Sequence, residues 1–199
     1  MIVESWPWKQ QLLKDADLID RWASKASTRR SFHLEKKVFL SAYAMRKLFD
    51  AEKLTSQLAD LNVKAERFSL LPSKQPDWWT RFNFFEYFDL NAPEKCTVGV
   101  RQLLNLFIHS KVFAEAVCSE LDLRVAAFFV NSDLTKDTLW QIPVSEFTRL
   151  MRIVGNDDFP TFKLIIHPTT REHRSWRGEG DPPPHITARL ERFLKEDKT

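Results

Sequence analysis

Glycine and cysteine are scarce in this chain, and each shortage removes a class of function. Four glycines in 199 residues leave few places where the backbone can turn through positive φ without cost. The only close pair, Gly178 and Gly180 in "GEG", neither follows a buried strand nor opens a helix carrying a lysine, so no phosphate-cradling loop can be assembled and the usual nucleotide-binding enzymes are excluded. Cys96 and Cys118 have neither disulfide nor metal-ligand spacing, and read as small buried hydrophobes with free thiols in a reducing compartment. No serine sits in a nucleophile elbow. An excess of one charge is also missing. Thirty Lys and Arg against 27 Asp and Glu, a formal net charge of +3, are too balanced to mark nucleic-acid binding by themselves, although a local patch stays open. No stretch approaches the roughly 20 apolar residues that span a bilayer. The opening "MIVESWPWKQ", with Glu4 and no uninterrupted apolar run, lacks the layout of a secretory signal. The expectation is a cytoplasmic protein with no cofactor, no metal and no membrane partner.

Aromatic side chains are plentiful, with seven Trp and sixteen Phe. Each large ring buried contributes on the order of a few kcal/mol, so one stable domain over residues 1–199 is expected. Ser5 can cap a first helix, Pro7 is tolerated in its opening turn, and Trp8, Leu12, Ile19 and Trp22 recur at roughly helical spacing up to "SKAST". A second and longer helix starts near Ser31, with Leu34, Val38, Ala42, Met45 and Phe49 as one stripe that Phe39, Tyr43 and Leu48 widen. In the segment that follows, Val63, Ala65 and Phe68 suggest a strand, Pro72 and Pro76 break the chain, and Trp78, Trp79, Phe82, Phe84, Phe85, Tyr87 and Phe88 fit an irregular hairpin with a helical turn or two. These rings suit base stacking or partner contact. The competing reading is a lid folded onto the helices.

"RQLLNLFIHS", Arg101 to Ser110, reads as a central helix continuing to Phe113. The period then changes. "LRVAAFFVNSD" and "TLWQIPV" read as strands joined by "NSDLTKD", and Phe147, Leu150, Met151 and Val154 follow as an amphipathic helix with Gly155 at a left-handed C-cap. "FKLIIH" and "REHRSWR" read as a second hairpin, and "DPPP" precedes a short helix carrying Ile186, Leu190, Phe193 and Leu194. The fold class is therefore α+β: a mainly helical part over residues 1–120, an aromatic-rich covering segment, and a ββαββ portion with a final helix over residues 121–199.

At about 100° per residue from Arg101, Asn105 falls near 40° and His109 near 80°, so the three share one wedge of a helix that is apolar in nearly every other direction. One reading is structural, with Asn105 and His109 bonded to neighbouring backbone and Arg101 paired with Glu35 or Glu52. The other is catalytic. A His that titrates near neutrality moves a proton and an Arg neutralises charge on a phosphate, the parts of a metal-independent ribonuclease.

An Arg and a His on one face of a bundle helix, with a polar residue between them, resemble the signature of HEPN-type ribonucleases, helical proteins often found in bacterial toxin–antitoxin and antiphage systems. That resemblance implies catalysis by Arg101, Asn105 and His109. "SWPWK", "RKLFDAEKL", "RQLLNLFIHSKVF", "FFVNSD" and "RIVGND", in that order, resemble a family of bacterial proteins of unknown function, which implies a bacterial cytoplasmic protein and no particular activity. Where that family has a Cys and a Gln flanking the central Asn, this chain has Leu104 and Leu106.

His167 and His173 lie either side of a turn with Glu172, but their spacing matches no zinc pattern, and an exposed turn is expected. Arg171, Arg174, Trp176 and Arg177 mix cations with an aromatic ring, which suits phosphate contact and stacking, or a solvated strand edge. Two classes of function stay open. One is a binding or regulatory protein that engages a protein or nucleic-acid partner through Trp78, Trp79 and the Arg171–Arg177 stretch. The other is a HEPN-like RNA-cleaving enzyme, for which a homodimer would be in keeping.

Overall fold

The computed structural model describes residues 2–25, 31–119 and 121–195. Five α-helices and seven strands occur among them, in an α+β arrangement. Helix α1, Trp6–Ala23, begins after Ser5, whose side chain makes no capping bond. Its carbonyl instead receives Lys9 N–H at 3.0 Å. The inward stripe of α1 is Leu12, Ala16, Ile19 and Ala23, while Trp8 lies 40% exposed. Helix α2, Ser31–Asp50, buries Leu34, Val38, Ala42, Met45 and Phe49 on one side, the stripe its periodicity predicts.

Strands β1 (Asn62–Ser69), β2 (Glu94–Gly99), β3 (Ser110–Val117), β4 (Val125–Ser132) and β5 (Thr138–Pro143) form one antiparallel sheet in the order β2-β1-β5-β4-β3. Helix α3, Val100–Ile108, links β2 to β3, and helix α4, Val144–Asn156, follows β5 directly. Three of the five strands thus come from the part of the chain expected to be mainly helical. The central helix is also shorter than its sequence suggests: His109 closes it at φ −107° and ψ 24°, and Phe113 lies in β3, not on the helix. There its ring lies 4.9 Å from Phe39 and stacks at 5.6 Å on Phe128.

The main core lies between the sheet and the helices. Val63 pairs with Val98, Ile142 with Phe128 and Trp140 with Val130, and these residues point towards Leu103, Leu104, Phe107, Phe147 and Met151. Gly155 is not a left-handed cap. It lies inside α4, where a Cβ would come within 2.6 Å of Leu13 Cδ2 and 3.1 Å of the Lys9 carbonyl oxygen. Its lack of a side chain lets α4 approach α1 closely.

A second, smaller core covers the opposite face of the sheet, built from Phe68, Phe88, Val112 and Leu139 with Phe84, Tyr87 and Phe129 around them. The aromatic segment is therefore a cover, but over the far face of the sheet rather than over the helices. Strands β6 (Thr161–Ile166) and β7 (His173–Gly178) form a separate hairpin, against which helix α5, Pro184–Lys195, packs. No helix among the described residues is long and apolar enough to cross a membrane.

Candidate functional site: an aromatic surface and a polar helix face

The wedge of α3 meets α2. The Arg101 guanidinium lies 5.4 Å from the Phe49 ring centroid, and Asn105 Oδ1 accepts a hydrogen bond from Arg46 Nη1 at 2.6 Å. Arg46 also donates through Nε to Asp50 at 2.9 Å. Asn105 is thus held by a side chain of the neighbouring helix, and not by backbone. Neither Glu35 nor Glu52 pairs with Arg101, and Glu52 is taken by Arg177 at 2.7 Å. His109 is exposed at the end of α3. It lies two turns from Arg101, about 12 Å along the axis at 1.5 Å per residue. Arg46 is the participant that the sequence conceals, because its position beside the α2 stripe reads as solvated surface.

The β6–β7 hairpin does not present Trp176 or Arg177 to a ligand. Trp176 is 2% exposed, which leaves no ring face for stacking. Arg177 is pinned: its backbone N–H donates to Ser56 Oγ at 3.0 Å, Nε to the Leu54 carbonyl at 2.8 Å, and Nη1 to Ser175 Oγ and Glu52. Arg174 lies 5.0 Å over Phe193, and Arg171 occupies the turn at φ 61°. His167 is buried, contrary to the expected exposed turn. Its Nδ1 accepts the backbone N–H groups of Thr169 and Thr170 at 3.3 and 3.2 Å. His173 Nε2 lies 3.9 Å from Glu52, and no group of ligating side chains suited to a metal occurs among the described residues.

The aromatic segment is built differently. Asp77 organises it: Oδ1 accepts Trp79 N–H at 2.8 Å, Thr80 N–H at 3.0 Å and the Thr80 hydroxyl at 3.2 Å, while Tyr87 O–H reaches both carboxylate oxygens at 3.2 Å. Desolvation pushes the Asp77 carboxyl up, yet the backbone bonds from Thr80 and Trp79 and the two hydroxyls together hold it below its ordinary value. Backbone bonds fasten the segment to the sheet, with Leu71 N–H on the Tyr87 carbonyl at 2.8 Å and Asp89 N–H on the Ser69 carbonyl at 3.0 Å. Phe84 and Phe88 turn inward onto Phe129 and Phe68.

The remaining rings turn outward. Trp78, Trp79, Phe82 and Phe85 are 59, 60, 56 and 55% exposed. Trp78 and Trp79 meet nearly perpendicular at 4.6 Å, and Phe82 lies 5.3 Å from Trp78. The Arg81 guanidinium lies 3.8 Å over the Trp78 ring.

A further junction joins two motifs singled out in the sequence. Lys9, from "SWPWK", donates to the Asp157 carbonyl at 2.5 Å at the end of "RIVGND", while the Asp157 carboxylate accepts the backbone N–H and hydroxyl of Thr55 at 2.9 and 2.7 Å. Burial lowers the Lys9 pKa against the opposing pull of Asp157 and Asp158. A cation on the carbonyl of Asp157, the residue that follows α4, staples the helix end to α1, and the contacts of Lys9 and Asp157 named above are spent within the chain.

Comparison with protein-family models, with curated proteins and with solved structures finds no match to this chain.

Proposed function

We propose that this is a binding or regulatory protein whose partner, another protein, docks on the surface formed by Trp78, Trp79, Phe82 and Phe85. The observation that carries the reading is the exposure of three rings in mutual contact, Trp78, Trp79 and Phe82, with Phe85 in the same segment, each more than half open to solvent, while the segment's other rings are anchored in a core. Exposed aromatic patches on ordered elements mark interaction sites, and Trp with Arg are the residues that dominate interface energetics. The Asp77 network and the backbone fastenings order the segment in advance, which lowers the entropy lost on docking.

Charge favours protein over nucleic acid. Residues 71–91 carry two basic side chains, Lys74 and Arg81, against three acidic ones, Asp77, Glu86 and Asp89. A polyanion gains its affinity from an excess of Lys and Arg that displaces counterions, and this segment has none. The ribonuclease reading has weaker support, because Asn105 is held by Arg46 and the Arg101 guanidinium lies over Phe49. Neither converges with His109 on one phosphate.

The test places a photo-crosslinking residue at Phe82 and, as a control, at exposed Lys136, in cells that make the protein. A specific adduct is expected from position 82 only. The partner identified in it should then bind the purified protein, with affinity reduced about 30-fold or more in Trp78→Ala/Trp79→Ala. Equal affinity for wild type and variant defeats the reading. So does cleavage of RNA in metal-free buffer that His109→Ala abolishes, which would favour the catalytic class instead.

A further inference from the structure

We propose that Arg81 reads a carboxylate on the partner, so that the recognised segment is an acidic side chain flanked by apolar ones. The inference rests on the docking reading above and names the chemistry of what docks. Six other arginines, Arg46, Arg67, Arg124, Arg149, Arg152 and Arg177, each hold an Asp or Glu within 2.9 Å. Arg81 holds none. Among the described residues it makes no ion pair and its guanidinium donates no hydrogen bond, and its contacts are two rings, Trp78 at 3.8 Å and Phe82 at 5.0 Å. The nearest acid in the sequence, Asp77, is committed to Trp79, Thr80 and Tyr87.

The Arg81 guanidinium lies on the Trp78 ring in an exposed side chain, which leaves its N–H groups available to a bidentate acceptor. A carboxylate fits the fork with two parallel hydrogen bonds. A phosphate fits the same fork, but a nucleic acid brings a row of them, and residues 71–91 offer only Lys74 and Arg81 as cations to meet such a row. One carboxylate matches one guanidinium fork. The exposed rings of Trp79 and Phe82 stand beside it for apolar neighbours of that carboxylate, which in docking would shield the ion pair from water and strengthen it.

The test selects binders to the whole protein from a displayed library of random linear peptides. Asp or Glu beside Leu, Phe or Trp is the expected enrichment. The tightest peptide, measured by calorimetry, should lose about tenfold in affinity when its acid is replaced by the amide. Arg81→Gln should bind the two forms alike, and Arg81→Lys should recover only part of the difference. Both variants change one exposed side chain, and a thermal melt verifies that they fold. Enriched peptides that carry no acid yet still require Trp78 and Trp79 overturn the carboxylate and leave the docking surface standing. No enrichment beyond that seen with Trp78→Ala/Trp79→Ala as bait overturns both. Tighter binding of single-stranded oligothymidylate than of any selected peptide also overturns both.

Discussion

Asp77 shows how one side chain can order a functional surface. Its carboxylate receives two backbone N–H groups and two hydroxyls, an arrangement that favours the ionised form and holds the folded pKa below the ordinary 3.8. A carboxyl held low contributes stability that is complete above the unfolded value and is lost as pH falls through the folded one. The segment is therefore expected to loosen only below roughly pH 4. The indole N–H resonances of Trp78 and Trp79 should move over that interval in wild type and stay still in Asp77→Asn. Parallel movement in both proteins would mean that another group controls the segment. The sequence marked the rings but not their allocation, because inward Phe84 and outward Phe85 are neighbours in one aromatic run and only the short helical turn over Phe84–Glu86 sends them to opposite sides. Trp176 misled in the opposite direction: between arginines it reads as solvated, yet it is buried, its ring close against Gly178.

At the scale of elements, α2 was legible because five apolar residues repeat at strict helical spacing. The boundary between α3 and β3 was not. "LLNLFIHSKVF" is apolar through both elements, so periodicity alone cannot locate the change at His109. Strand β2 escaped notice because only Cys96 and Val98 face the core within a run of Glu, Lys and Thr. The α1–α4 contact gives a prediction. Gly155→Ala adds a methyl group where Leu13 and the Lys9 carbonyl already stand. Overpacking costs about 1–3 kcal/mol, against about 1 kcal/mol gained in helix propensity. A net loss of about 1 kcal/mol should appear as a lower urea midpoint, and Leu13→Ala in the same chain should relieve part of it. An unchanged midpoint would show that the two helices can separate freely.

Across the whole molecule, the buried Trp176, Leu190 and Phe193 belong to neither the main core nor the smaller one. The β6–β7 hairpin and α5 thus form a satellite, fastened to the body through Arg177, whose guanidinium bridges Glu52 and the Leu54 carbonyl. Arg177→Ala should raise hydrogen exchange throughout residues 161–195 and leave the β1, β4 and β5 amides protected. Uniform exchange of all of these would show instead that the satellite and the sheet unfold together. The exposed rings, by contrast, are anchored next to β1, a strand with neighbours on both sides. An occupant there would engage the least dispensable part of the chain, and its binding energy would be felt by the entire sheet. Heat resistance of the body should consequently climb with occupant concentration, even where the satellite has already melted away.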